Sequence, residues 1–156
     1  SIGHDFFQGC KIEHGVTLKN QQGDCLGGRM EHAFSSVLPT CHSTIVVGTD
    51  CPAMNASYIA SVFTELQNND SVIGPAEDGG YVLLGLRKPQ PQIFSNISWG
   101  SSKVFEETIS RFKGDVKKVP VLWDVDHVDD LIRLRNSAHE LQLGKAFSEY
   151  LANLEW

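Results

Sequence analysis

Three acidic or glycine-rich turns contain the side chains that could do chemistry, and each follows a predicted strand. The first turn is residues 48–52, Gly-Thr-Asp-Cys-Pro, which places Asp50 at the end of an apolar strand. A carboxylate in that place can bind a hard cation such as Mg²⁺ or Mn²⁺. It can equally cap the next turn, with Pro52 fixing the bend. Spacing alone leaves both roles open for Asp50.

The second turn is residues 74–81, Gly-Pro-Ala-Glu-Asp-Gly-Gly-Tyr. The paired glycines Gly79 and Gly80 let backbone N–H groups approach a ligand closely. Asp78 could act as a base or bind a sugar hydroxyl, and Tyr81 could stack or donate a hydrogen bond. The alternative is a plain hairpin turn, which Asp-Gly and Gly-Gly both favour. A plain hairpin, however, does not need the flanking Gly-Pro or Glu77.

The third turn is residues 123–130, between a predicted strand and a predicted helix. Asp124 and Asp126 are two residues apart, so they point the same way in an extended chain. Either could reach a cation held by Asp50. Asp129 and Asp130 fall in the first turn of the helix, where the helix dipole favours anions. We therefore interpret the second pair as helix-start residues rather than ligands.

Trp99 and Arg29 are the remaining candidates. Trp99 precedes a predicted helix start and could stack on a ring, although a tryptophan of the core is at least as common. Arg29 could contact a phosphate, although an exposed arginine on a helix is commoner. The six histidines show no ligand spacing, so we assign no metal to them.

An alternation of strands and helices must position these turns. The pattern predicts strands at residues 15–21, 43–48, 71–74, 81–86 and 116–121. Amphipathic helices are predicted to start at Leu26, after Asn55, after Ser101 or Ser102, near Val128 and near Gly144. This order predicts an α/β fold, a three-layer α/β/α sandwich with a mostly parallel central sheet. The β-branched strand at 43–48 should be covered on both faces, and ligands should bind beyond the carboxyl ends of the strands.

Composition narrows the class of protein. The 156 residues fit a single α/β domain spanning 1–156, and 41% hydrophobic and 21% charged residues favour a folded chain. The net charge of -6 argues against binding to nucleic acid or to an anionic membrane. A phosphorylated ligand remains compatible, because a divalent cation can bridge acidic side chains to phosphates.

Compartment is also predicted from the sequence. No two of the four cysteines have C-x-x-C spacing, so we interpret them as free thiols in a reducing compartment. No apolar run approaches the ~20 residues of a membrane span, and the first residues lack the pattern of a signal peptide. The sequence therefore predicts a cytoplasmic protein.

Taken together and in order, the motifs resemble the DUF2064 family. The resemblance is carried by residues 21–30, 48–52, 74–86, 99–100 and 124–126, and it extends from about residue 4 to 135. Its most specific part is the Asp-Gly-Gly-Tyr block that begins at Asp78. Members of this family are glycosyltransferase candidates with the GT-A, or nucleotide-diphospho-sugar transferase, fold. They are distant relatives of nucleotidyltransferases of the molybdopterin-guanylyltransferase type.

The resemblance implies a Mg²⁺ or Mn²⁺ ion held by Asp50 and Asp126, which bridges the diphosphate of a nucleotide-sugar donor and stabilises the departing nucleoside diphosphate. It also implies that Asp78, Gly79, Gly80 and Tyr81 hold the sugar or the unknown acceptor. We predict Asp78, which could act as a base, as the catalytic residue. The predicted substrate-binding residues are Arg29, Glu77, Gly79, Gly80, Tyr81 and Trp99.

The first strand of the family and the nucleotide-binding loop after it have no counterpart in this sequence. We therefore expect a sheet that lacks its first strands and has an exposed edge or an uncovered apolar face. A partner chain could cover it, which predicts a homodimer or higher homo-oligomer. Three functions stay open: a metal-dependent glycosyltransferase, a nucleotidyltransferase of the same fold, and a non-catalytic binding or assembly module.

Overall fold

The computed structural model describes residues 3–154, which form an α/β fold of six α-helices and a four-stranded mixed sheet. The helices are α1 (Asp5–His14), α2 (Leu26–Val37), α3 (Ala56–Glu65), α4 (Val104–Ser110), α5 (Val128–Asn136) and α6 (Lys145–Ala152). The strands are β1 (Thr44–Val47), β2 (Ser71–Pro75), β3 (Tyr81–Leu86) and β4 (Lys117–Lys118). Two short 3₁₀ helices span Leu38–Thr40 and Pro91–Phe94. The α/β class predicted from the sequence is confirmed.

The strand order is β1-β3-β2-β4, and β3 is antiparallel to both of its neighbours. Among the strands between residues 3 and 154, only β2 and β4 pair in parallel. The prediction of a mostly parallel sheet is therefore wrong. The reason is the five-residue connection 76–80 between β2 and β3, which is too short for the crossover that adjacent parallel strands require. Because β3 alone is reversed, the carboxyl ends of β1, β2 and β4 still lie at one edge of the sheet.

Different helices pack against the two faces of the sheet. Val62 and Leu66, in and just after α3, pack with Val72 of β2. Phe34 of α2 packs in a second cluster with Ile73, the next residue of β2. Successive residues of a strand point to opposite faces, so the two clusters lie on opposite sides of the sheet.

Strand β1 lies at an edge of the sheet, and both of its faces are partly covered, as predicted: Ile45 packs against the cluster that contains α3, and Val46 packs against the cluster that contains α2. None of its four residues is fully buried, and Val47 is 40% exposed. The apolar sequence therefore predicts a strand with cover on its faces. It does not encode the edge position, because the insertion of β3 between β1 and β2 decides which strand is at the edge.

Two other predicted strands differ from the structure. No strand forms at residues 15–21, where Val16 is exposed and has no strand to pair with in the part of the chain that the structure describes. The strand predicted at 116–121 is reduced to the two residues of β4, since Pro120 has no N–H to donate to a ladder. Helix α1 was not predicted. Between residues 3 and 154, no helix has the length and apolar character needed to cross a membrane.

Candidate functional site

The first acidic turn follows β1 and is held by backbone hydrogen bonds on both sides. The N–H of Gly48 donates to the carbonyl oxygen of Val82 at 2.8 Å, which anchors the start of the turn to β3. The N–H of Val125 donates to the carbonyl oxygen of Asp50 at 3.0 Å. The first and third turns are therefore joined through their main chains, as their common edge of the sheet allows.

The second turn closes the β2–β3 hairpin and docks against the start of α4. Ala76 N–H donates to Gly80 O at 3.0 Å, and Gly80 N–H donates to Asp78 Oδ1 at 2.8 Å. Gly79 has φ +92°, and a Cβ at this position would lie 2.2 Å from the carbonyl oxygen of Ser102. Only glycine fits here, because the backbone conformation and the neighbouring main chain both exclude a side chain.

The second and third turns are also joined to each other. Ala76 and Leu122 form a parallel bridge, with Glu77 N–H donating to Leu122 O at 3.0 Å and Leu122 N–H donating to Pro75 O at 3.1 Å. This pairing extends β2 past its last residue. It brings the Asp78 turn beside the turn that contains Asp124.

Asp78, Asp124 and Asp126 form the acidic group of the site, with one carboxylate oxygen from each within 4.8 Å of the others. Burial raises the pKa of the Asp124 carboxyl, and the nearby negative charges of Asp78, Asp126 and Asp50 raise it further. Three convergent carboxylates are the donor set that Mg²⁺ and Mn²⁺ prefer, so these residues fit such a cation.

The predicted metal pair is placed differently within this region. Asp126 belongs to the acidic group, whereas Asp50 lies outside it but lines the same cavity and contributes to the field at Asp124. Asp78, predicted as the catalytic residue, is itself a member of the group. Asp124 was named from the sequence as an alternative to Asp126, and the structure brings both together.

Asp130 supports the acidic group from the start of α5. Its Oδ2 accepts hydrogen bonds from the N–H of Asp126 at 3.1 Å and from the N–H of His127 at 2.8 Å. These backbone bonds lower the pKa of the Asp130 carboxyl. The interpretation of Asp130 as a helix-start residue agrees with this geometry, and it also fixes the main chain of Asp126.

The acidic group lines a cavity of about 570 Å³. Helix α2 and strand β1 contribute apolar wall residues, which are Leu26, Met30, Ala33, Val37, Val46 and Val47. The predicted residues Arg29, Asp50, Gly80, Tyr81 and Trp99 also line it. The size and the combination of apolar walls with a few convergent polar groups are those of a small-molecule site.

Tyr81 and Trp99 form an aromatic wall of the cavity. Their rings meet edge to face, with centroids 6.4 Å apart and an interplanar angle of 69°. Burial raises the pKa of Tyr81 well above its usual range, so the phenol stays protonated. Trp99 lies directly against Gly27, where a Cβ would be 2.8 Å from the indole ring. Gly27 was missed from the sequence, since nothing local distinguishes it from Gly28.

Arg29 and Glu77 have different surroundings. Arg29 Nε donates to the carbonyl oxygen of Gly23 at 3.3 Å, and the side chain borders the cavity. Glu77 lies outside the cavity lining and accepts two hydrogen bonds from Arg133, which lower the pKa of its carboxyl. Arg133 was missed from the sequence because it lies 56 positions from Glu77.

A crystal structure of a "putative nucleotide-diphospho-sugar transferase" from Desulfovibrio desulfuricans G20 is similar to this chain, with a TM-score of 0.75 and 31% sequence identity. The match covers 85% of this chain and 61% of that protein, so this chain spans less than two thirds of its length. No functionally curated protein matches significantly. The family model "Uncharacterized protein conserved in bacteria (DUF2064)" matches residues 2–101, well over half of the sequence. On this match, the chain belongs to the DUF2064 family.

Proposed function

We propose that this domain is a divalent-cation-dependent glycosyltransferase that acts on a nucleotide-sugar donor. The observation that carries the proposal is the acidic group of Asp78, Asp124 and Asp126 in the lining of a small-molecule-sized cavity. The similarity to a protein described as a nucleotide-diphospho-sugar transferase supports it. The donor and acceptor are defined here only by class: a sugar linked to a nucleoside diphosphate, and a hydroxyl-bearing acceptor.

The residues of the cavity have complementary tasks in this proposal. A bound Mg²⁺ or Mn²⁺ ion would neutralise negative charge on the diphosphate of the donor. Asp124 and Asp126 would hold that ion, with Asp50 as a further ligand across the joined turns. Arg29 would add a positive charge toward the phosphates. Trp99 and Tyr81 would contact the sugar or the base, and the backbone at Gly80 would allow close approach. Gly79, also predicted to contact the ligand, lies outside the cavity lining and packs against Ser102.

Asp78 is proposed as the catalytic residue because it is next to the glycine pair and inside the acidic group. A carboxylate there can accept a proton from an acceptor hydroxyl. Its Oδ1 accepts the Gly80 N–H, which fixes the orientation of the carboxylate. Because Asp78 is also a member of the acidic group, an Asp78→Asn variant should bind the cation and the donor more weakly and lose transfer completely, whereas Asp126→Asn should lose cation binding first.

Calorimetric titration tests the proposal. The chain is titrated with UDP-, GDP- and ADP-sugars, each with and without Mn²⁺. Transfer of the sugar to water, which releases free sugar and the nucleoside diphosphate, is followed in the same samples. Cation-dependent binding together with sugar release supports a glycosyltransferase. No binding of any donor in either condition contradicts it, and so does an unchanged Mn²⁺ affinity in both Asp50→Ala and Asp126→Asn.

Self-association through the β1 edge is a separate proposal. In the part of the chain that the structure describes, β1 pairs with β3 on one side only, and Val47 is exposed. A second copy that covers this edge would satisfy its backbone groups. Size-exclusion chromatography with light scattering tests it, and a clean monomer at all concentrations would contradict it.

A further inference from the structure

Arg133 of α5 contacts both of the turns that provide the acidic group. Its Nη1 and Nη2 donate to the two carboxylate oxygens of Glu77 at 2.6 and 3.0 Å, an arrangement in which both partners are oriented. Its guanidinium carbon lies 4.3 Å from the centroid of the Trp123 ring. One side chain therefore joins the β2–β3 turn to the turn before α5.

The two contacted residues immediately precede members of the acidic group in the sequence. Glu77 comes directly before Asp78, and Trp123 comes directly before Asp124. Trp123 is buried and packs with Leu134, the residue after Arg133, so this ring is a fixed surface. If Arg133 moved, Glu77 and Trp123 would move with it. Asp78 and Asp124 would follow, because each is the next residue in the chain.

Helix α5 also holds the third member of the group. Asp130, about one turn before Arg133, accepts the N–H of Asp126. A helix turn is a rigid spacer, so Asp130 and Arg133 fix Asp126 relative to Glu77 and Trp123. The positions of all three carboxylates therefore depend on contacts with one short segment of α5.

We propose that Arg133 is a positioning residue, which sets the distance between Asp78 and the pair Asp124 and Asp126 through its contacts with Glu77 and Trp123. The consequence for cation affinity rests on the proposed function. The positioning itself is a property of the fold and can be measured without a ligand.

Long-range charge is the competing explanation, and it predicts opposite signs for two variants. Glu77→Gln removes a negative charge near the acidic group, which by charge alone weakens cation binding. Arg133→Met removes a positive charge and by charge alone strengthens it. If Arg133 and Glu77 act by positioning, both variants weaken binding. Methionine keeps an apolar stem against Trp123, so the comparison isolates the guanidinium.

Mn²⁺ is titrated calorimetrically into the full chain and its variants at 25 °C, well below the unfolding transition of each. Glu77→Gln and Arg133→Met should each weaken Mn²⁺ binding by about tenfold, as loss of a residue that orients metal ligands does. The matched control is Asp70→Asn, which removes the 2.6 Å ion pair with Lys88 just before β2. It should change the affinity by less than about twofold, because Asp70 lies before β2, at the opposite end of the strand from the Asp78 turn. Both ion pairs are exposed, so the two variants differ in place and not in exposure. Changes of opposite sign in the first two variants, or no change, overturn the proposal.

Amide hydrogen exchange, followed by NMR, separates this proposal from the proposed function. Arg133→Met should accelerate exchange at Glu77 and at Asp126, whose N–H groups bond to Leu122 O and to Asp130 Oδ2. Asp70→Asn should leave both rates unchanged. If the unmodified chain does not bind Mn²⁺, the cation-dependent function fails, and the exchange rates alone decide the positioning: unchanged rates in Arg133→Met overturn it.

Discussion

Replacing Gly79 by alanine should destabilise the protein and displace the Asp78 turn. Gly79 has φ +92°, outside the conformations that alanine adopts without cost. A Cβ there would lie 2.2 Å from the carbonyl oxygen of Ser102, 2.8 Å from its carbonyl carbon and 2.9 Å from its Cα. All three are main-chain atoms, so no side-chain rotation can relieve the overlap. The turn or the start of α4 must move.

Two costs add to give the magnitude. The positive φ costs an alanine about 1–2 kcal/mol, and forcing extra volume into a packed contact adds roughly 1–3 kcal/mol. We therefore expect a loss of about 3 kcal/mol in the free energy of unfolding, or roughly 6–12 °C in Tm for a chain of this size. Gly114 is the matched control, since its φ is +96° but a Cβ there would meet no atom within 4 Å. Gly114→Ala should therefore lose only the cost of the positive φ, about 1–2 kcal/mol in the free energy of unfolding.

Urea unfolding and differential scanning fluorimetry measure both variants. The Gly79→Ala variant should also bind Mn²⁺ more weakly than the Gly114→Ala variant, because the hydrogen bond from Gly80 N–H to Asp78 Oδ1 is part of the same turn. Equal losses of stability in the two variants would refute the reasoning, since the contact with Ser102 is the main structural difference between them.

Burial raises the pKa of Tyr58 from 10.0 to about 12, so the folded protein holds this phenol proton more tightly than the unfolded chain does. The resulting contribution to the free energy of unfolding should be complete below pH 10 and should be lost between about pH 10 and 12. Unfolding measured across that range checks this, and Tyr58→Phe should remove that part of the loss. Asp124→Asn should stabilise the cation-free protein at pH 7, because burial, followed by neighbouring carboxylates, raises the pKa of Asp124 and disfavours its charged form. The same variant should lose most of the Tm increase given by Mn²⁺, and a less stable cation-free variant would contradict the reasoning. Gly27→Ala should shift the indole fluorescence of Trp99, whereas Gly28→Ala, with its nearest contact at 3.5 Å, should not; identical spectra would exclude the close packing.

The α/β class and the three acidic turns could be predicted because each depends on local pattern. The turn at Asp78 shows the limit of that approach. Its sequence favours either a hairpin or a ligand-binding turn, and in the structure it closes the β2–β3 hairpin and also lines the cavity. The hairpin alternative implies that β3 runs antiparallel to β2, which is the observed orientation. The expectation of a mostly parallel sheet did not include that reversal.

The remaining errors concern long-range pairing, which local pattern does not encode. Val16 and Leu18 alternate as in a strand, but alternation stabilises a strand only when another strand pairs with it. The apolar residues of β1 indicate burial, but the position of β3 decides that β1 is an edge. The Glu77–Arg133 contact could not be predicted for the same reason. Nothing in the sequence around either residue indicates which distant residue it contacts.

The joining of the acidic turns through β1, β2 and α5 has a consequence for folding. Asp50, Asp78 and the pair Asp124 and Asp126 come from well-separated parts of the chain, and each turn is attached to a different element. A cation bound by them would act as a cross-link that closes two long loops at once, and the entropy of closing such loops depends only weakly on their length. It would bind the native state and not the unfolded chain, so each tenfold excess of cation over its Kd would add about 1.4 kcal/mol of stability. The ion would then stabilise the edge of the sheet at which the three turns meet, and the midpoint of unfolding would depend on the concentration of the cation.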